Sequence, residues 1–355
     1  MLRSGVTTGL CAAAAAKAAT ITLLTSASLD IVEINAKNGA QFVFDITYIA
    51  QEPGNVICAV IKDSGDDPDV TNGAAVCAAA SILSDDRIVV DGGEGIGRVT
   101  KPGLKVPVGM AAINPVPMEM ITAAVNEIRK KINYNGGVRI VISIPGGEEL
   151  AKKTMNERLG IVGGLSILGT TGIVEPMSER AIIETIKADI DVQTASGSKN
   201  LLVTPGNYGR DFASTELGYD IDAAVKCSNY IGDTLDYACL KDIERITLIG
   251  HAGKLVKLAG GIMNTHSSVA DCRMEILAAH AALAGVGAEG IERIMRCVST
   301  AAAIDEILRL GVHDAVWESI GQKIGYHLRE RTKGQITVEY IVFTQEHGIL
   351  TKYEE

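Results

Sequence analysis

Residues 10–24 form an almost continuous run of small and aliphatic side chains behind Thr7 and Thr8, which can cap a helix, so the pattern predicts an alanine-rich helix over 10–24. Stretches rich in β-branched or aromatic residues, with partial alternation, follow at 30–35, 41–46 and 56–62 and read as strands. An acidic loop over residues 63–69, an Ala-rich segment and a glycine-bearing loop over 92–98 come next. Helical spacing returns at 118–132 and 178–190, on either side of a buried strand at 138–144. This half reads as mixed α and β. The polar stretch 193–200 is the predicted linker, giving domains 1–192 and 193–355.

Beyond it strand and helix alternate. Short apolar runs at 201–204, 223–228 and 245–249 each end in a glycine-bearing turn: Pro205-Gly206-Asn207-Tyr208-Gly209, Asn229-Tyr230-Ile231-Gly232-Asp233 and Gly250-His251-Ala252-Gly253-Lys254. A helical pattern follows each turn, which predicts βαβ units and a parallel sheet. Ligands of such sheets sit outside the carboxyl ends of the strands, so the three turns are expected around one pocket. Helices at 268–283 and 291–310 and a strand at 335–344 complete the pattern.

Composition narrows the classes. Of 355 residues, 47% are hydrophobic and 21% charged, which excludes wholesale disorder and leaves room for about two domains. A net charge of −10 opposes broad attraction to nucleic acid or anionic lipid, and 4% aromatics supply few stacking surfaces for bases. The seven cysteines are scattered without a C-x-x-C pair and read as reduced thiols. Arg3 ahead of the alanines resembles a signal sequence, but Lys17 and Thr7, Thr8, Thr20 and Thr22 interrupt the apolar run. The expectation is a soluble, cytoplasmic protein with no nucleic-acid or membrane partner.

The individual motifs are weaker than their arrangement. Gly206 and Gly209 do not complete a G-x-G-x-x-G fingerprint, and in Gly250 to Lys254 the glycines lie too close together, with Leu255 after the lysine, for a phosphate loop. What remains is glycine that lets backbone N–H groups approach a ligand at a helix start, or glycine that merely permits a turn. The loop holding Gly93, Gly95 and Gly97 reads as a hairpin or a close approach to a ligand, with Arg98, Lys101 and Lys105 beyond it. His251, directly after a strand, is placed either for acid, base or donor chemistry or for bonding to neighbouring backbone. His266, Asp271, Cys272 and His280 lack zinc spacing, the aspartates at 63, 66, 67 and 69 lack the order of a calcium loop, and no G-x-S-x-G elbow occurs.

Seven ordered motifs together resemble one family: TTGLCAAAAAK at 7–17, KDSGDDPDVTNG at 62–73, GIGRVTKPGL at 95–104, AINPVP at 112–117, GTTGIVEPMS at 169–178, TPGNYG at 204–209 and IGHAGKLVKLAGGIMNTHS at 249–267. The chain is similar over almost its whole length to the CbiD family of cobalt-precorrin-5B C1-methyltransferases. It departs from that pattern at Leu10 and at Asn72, where many members carry threonine and histidine. The resemblance implies methyl transfer from S-adenosylmethionine to carbon 1 of a cobalt-containing tetrapyrrole in anaerobic cobalamin biosynthesis. It also implies an α+β first domain and an α/β second domain with a mainly parallel sheet. The cobalt belongs to the substrate, so no protein-bound metal is expected.

Under that reading the methyl donor is expected on the second domain, at Gly206, Asn207, Gly209, Gly250 and Gly253, with Asp233 as a ribose partner. The macrocycle is expected against Gly95, Gly97, Arg98 and Lys101 and the Thr7, Thr8 and Gly9 turn, with Asp66, Asp67, Lys254, Thr265 and His266 as further substrate residues. His251 is assigned to orienting ligands rather than to obligatory proton removal. A small-molecule kinase and a non-enzymatic corrinoid carrier are the alternatives, and self-association as a homo-oligomer is left open.

Overall fold

Thr7 starts the first long helix by accepting a hydrogen bond from the Leu10 amide at 3.2 Å, and the helix runs Thr8–Thr25 in the computed structural model, which describes residues 2–52 and 54–354. Its alanines are fully buried, because side chains of one carbon let a helix lie close against both a sheet and a second helix, Pro115–Lys131. One larger side chain there would cost about 1–3 kcal/mol by overpacking. Lys17 does not break the helix: its ammonium reaches the surface and pairs with Glu127 at 2.8 Å. By length and composition the helix could cross a membrane, yet 72% of it is buried inside the fold as a core helix.

The chain divides into two units, Met1–Glu179 and Arg180–Glu355. In the first, a five-stranded sheet has the order Tyr48–Glu52, Asn55–Ile61, Ala75–Leu83, Gly137–Ser143, Ile88–Gly92. Its pairs are antiparallel except the last, which is parallel. The Ala-rich segment is thus the central strand Ala75–Leu83, lying under the alanines of the helix. A hairpin, Ile31–Asn35 with Gln41–Asp45, stands apart from that sheet, and its buried Val32, Ile34 and Phe44 join the same core.

The second unit holds a sheet in the order Val225–Lys226, Asn200–Thr204, Arg245–His251, Thr337–Thr344, Gly348–Tyr353, parallel throughout except for the last strand. The mixed α/β content with parallel pairing is as expected. Several boundaries differ. The helix expected at 178–190 extends over Glu179–Ala195, so half of the stretch 193–200 is helix or strand, only residues 196–199 connect the two, and the units divide ahead of 192/193. The pattern at 291–310 is two helices, Ala288–Met295 and Thr300–Arg309, because the Ser299 hydroxyl accepts from the Ala302 amide and starts the second afresh. Helix Arg273–Leu283 begins later than the pattern at 268–283, and helix His313–Thr332 and the edge strand Gly348–Tyr353 were not anticipated.

Candidate functional site

In chain order the parallel strands of the second unit run second, first, third, fourth across the sheet, so the winding reverses between Asn200–Thr204 and Arg245–His251. Ligands of open parallel sheets bind at the carboxyl ends of the strands beside such a reversal. The three turns expected to meet there do. The Lys254 ammonium donates to the Pro205 carbonyl at 2.9 Å and the Ser228 carbonyl at 3.4 Å, tying the third turn to the first and second. Lys226, at the end of the second strand, donates to the Asn207 side-chain oxygen at 2.9 Å. Burial pushes the Lys254 ammonium below its usual range, and the buried Cys227 thiol nearby is pushed up to about 12, so it stays protonated.

His251 ends the third strand. Its Nδ1 accepts from the Gly253 amide at 3.1 Å and caps the short helix Ala252–Leu255, which leaves Nε2 to carry the proton of a neutral ring. Burial holds the imidazole below the ordinary histidine range, in the same direction. The Phe343 ring meets it edge to face at 5.9 Å, and exposed Tyr208 lies 6.3 Å away.

The glycines separate into two kinds. A β-carbon at Gly206 would enter open space, its backbone is extended, and helix Asn207–Thr215 begins there with no side-chain cap on its first amides. A β-carbon at Gly209 would lie 2.7 Å from the Ile249 carbonyl oxygen and one at Gly250 2.8 Å from Leu255, so these two permit close packing. Gly253 sits against the His251 ring. Asp233 is exposed in the first turn of Ile231–Cys239.

The segment after the third turn is folded back onto the second. Thr265 donates from its amide to the Asn229 carbonyl at 2.9 Å and from its hydroxyl to the Asn229 side chain at 3.2 Å. Buried Lys257 holds this segment by donating to the carbonyls of Thr265, at 3.1 Å, and Ala270, at 2.7 Å. His266 is exposed and bonded locally to Ser268 at 2.6 Å. Sequence reasoning missed Lys226 and left Tyr208 unassigned. A lysine ending a short parallel strand and an aromatic in the first turn of the helix after Asn200–Thr204 are the signals that mark them.

In the first unit, many of the expected ligand residues serve the fold. Thr8 exchanges hydrogen bonds with the Leu168 backbone, and the Gly9 amide donates to the Leu168 carbonyl at 3.0 Å. Asp66 accepts from the Arg3 amide at 2.6 Å and Asp67 from the Met177 amide at 2.8 Å. Below them the fully buried Lys62 pairs with Asp69 at 2.8 Å and bonds to Ser64, while the Asn72 side-chain oxygen accepts from the Ser64 amide at 2.8 Å. Asn72 therefore has a structural task that needs no titratable group.

Gly95 and Gly97 come close to protein backbone: β-carbons there would lie 1.9 Å from the Ile144 oxygen and 2.8 Å from the Gly164 oxygen. Arg98 pairs with Asp91 at 3.1 Å, and Lys101 donates to the Arg158 carbonyl at 3.2 Å with its stem over Gly160. Lys105 is exposed. Among the described residues no cluster of His, Cys, Asp and Glu could hold a metal ion. A cavity of about 640 Å³ lies along helix His313–Thr332 against Tyr340 and Tyr353, by the amino end of Thr337–Thr344 and away from the carboxyl-end turns.

Comparison with known proteins adds the chemical context. The profile of the family described as CbiD matches residues 1–176, and that of CbiD, C-terminal domain, matches residues 264–354. A cobalt-precorrin-5B C(1)-methyltransferase of Ruminiclostridium cellulolyticum is 52% identical, covering 97% of this chain and 89% of its own. Its counterpart in Methanocaldococcus jannaschii is 43% identical over 98% and 96%. The 1.9 Å crystal structure of a cobalamin biosynthesis protein (cbiD) from Archaeoglobus fulgidus is 29% identical, covering 73% of this chain and 80% of its own, with a TM-score of 0.39.

Proposed function

The chain belongs to the CbiD family, and from that membership we propose that it transfers a methyl group to carbon 1 of cobalt-precorrin-5B. The observation that carries this reading is 52% identity, over nearly the full length of both chains, to a protein of that name. The methyl donor of the proposal is S-adenosylmethionine, which supplies a sulfonium methyl that passes to the ring carbon while the electron pair of the broken S–C bond returns to sulfur. A ring carbon and an activated methyl react without a strong base, so the protein's task is alignment and exclusion of water.

The donor is assigned to the carboxyl ends of the parallel strands in the second unit. The residues there suit it: Gly206 opens space, the helix Asn207–Thr215 begins without a side-chain cap, and Lys254 offers a cation for the donor's carboxylate. His251 orients, since its Nδ1 is committed to the Gly253 amide. Asp233 is assigned to the ribose. The macrocycle's carboxylates are assigned to the first unit, at Arg98, Lys101 and Lys105. A kinase is not favoured, because the turn from Gly250 to Lys254 lacks the phosphate-loop pattern.

The test is anaerobic incubation of the purified protein with cobalt-precorrin-5B and S-adenosylmethionine. Gain of one methyl by the ring, with release of the demethylated donor, is expected. Tight ring binding without methyl gain would make the protein a carrier instead.

A further inference from the structure

Tyr208 is 64% exposed although it stands on the first turn of a helix at the end of a parallel strand. Its ring lies 6.3 Å from the His251 ring at an angle of 45°, and His251 also packs edge to face with Phe343 at 5.9 Å. The two rings form a small aromatic corner beside the open space at Gly206. The His251 imidazole in that corner is uncharged, because Nδ1 accepts from the Gly253 amide. The nearby ammonium groups are turned elsewhere: Lys226 to the Asn207 side chain and Lys254 to the Pro205 and Ser228 carbonyls. The corner is therefore electron-rich, and among the described residues neither of these ammonium groups is committed to it, the setting in which an aromatic face attracts a positively charged ligand group.

We propose that the Tyr208 ring receives the sulfonium centre of the methyl donor, with the neutral His251 ring beside it, so that this unit holds the cationic donor more tightly than the neutral thioether left after transfer. The assignment rests on the donor's placement at the carboxyl ends of the parallel strands. The donor's carboxylate then reaches the helix start and Lys254, while its positive centre stays over the rings. Uniform burial of the adenosine would hold donor and product alike. A contact to charge discriminates between them and favours product release.

Calorimetry on the full chain, with S-adenosylmethionine and S-adenosylhomocysteine titrated separately, reads this directly. Tyr208→Leu is expected to weaken donor binding by roughly twofold to thirtyfold, the range of a cation over an aromatic face, and to leave thioether binding nearly unchanged. Tyr208→Phe should restore the preference for the donor. Equal loss of both ligands in Tyr208→Leu, or loss of neither, overturns the assignment. Gly206→Val distinguishes the underlying placement: if it weakens both ligands the placement stands, and if it weakens neither the placement fails and the assignment with it.

Discussion

The Lys254 ammonium donates to the Pro205 carbonyl at 2.9 Å, which fastens the turn after the third parallel strand to the turn after the first. Lys254→Met removes the donor from that carbonyl and from Ser228 while keeping much of the side-chain volume. Stability should fall by about 1–2 kcal/mol, since two carbonyls lose a charged donor but water can replace part of it. Donor affinity should fall about tenfold or more if the ammonium also serves the ligand's carboxylate. Urea unfolding and calorimetry separate the two effects, and lost stability with unchanged affinity would leave Lys254 a fastening alone.

Gly206 and Gly209 should respond in opposite ways. Gly206→Val places its side chain in open space on extended backbone, so the unfolding midpoint should hardly move while donor binding weakens. Gly209→Ala drives a methyl to 2.7 Å from the Ile249 carbonyl oxygen and should cost about 1–3 kcal/mol. A stable Gly209→Ala protein would contradict the close packing of this helix on the third strand.

His251→Ala should remain an enzyme. The loss of its cap on Gly253 should cost about 1 kcal/mol. Turnover should drop by no more than the roughly 10²-fold to 10⁴-fold typical of a positioned acid or base. Complete loss of single-turnover methyl transfer, with both ligands still bound, would make the imidazole essential.

Acid should weaken the fold in two windows. Burial holds His251 and His280 below the ordinary value of 6.5, so the unfolded chain protonates first and stability falls as pH drops below that value toward the folded ones. For Asp69, burial pushes upward but bonds from Lys62 and Thr71 outweigh it, leaving the carboxyl below 3.8. Its contribution is therefore present above 3.8 and lost as pH falls through the folded value. Urea midpoints at pH 7.5 and 5.5 should differ less for His280→Gln than for the wild type. An identical difference in the two proteins would remove His280 from the first window.

Lys101→Glu should raise the apparent KM for the macrocycle and leave donor affinity nearly unchanged. Added salt should weaken macrocycle binding more in the wild type than in the variant, because part of the screened attraction is already gone. The same salt dependence in both, with unchanged macrocycle affinity, would place the carboxylates elsewhere.

What could be read from the sequence depended on locality. The turns after Thr204, after Cys227 and around His251 were legible because each follows a short apolar run and carries glycine within a few residues. The fastening of those turns by Lys254 was not, since its partners lie at Pro205 and Ser228 and only the folded sheet brings them near. Gly95 and Gly209 looked like openings for a ligand, yet their neighbours are the carbonyls of Ile144 and Ile249, and a glycine's letter is the same in either role. The strand Ala75–Leu83 gave no alternation because much of both its faces is covered. Asp66 and Asp67 read as site residues in a loop whose actual organiser, Lys62, is buried beneath them.

The order of strands in the second unit also bears on how the chain is made. Arg245–His251 lies at the centre of the sheet, but its partner on one side, Thr337–Thr344, is separated from it by the helices from Ala252 to Thr332. During synthesis the ribosome releases that strand with one hydrogen-bonding edge bare, and the edge stays bare until residues 337–344 emerge. The first unit closes sooner, once Ile173–Val174 pairs with Gly5–Val6. Chains halted near residue 330 would thus carry a finished first unit and a half-built apolar sheet with an open edge, the form most prone to aggregate and to need a chaperone.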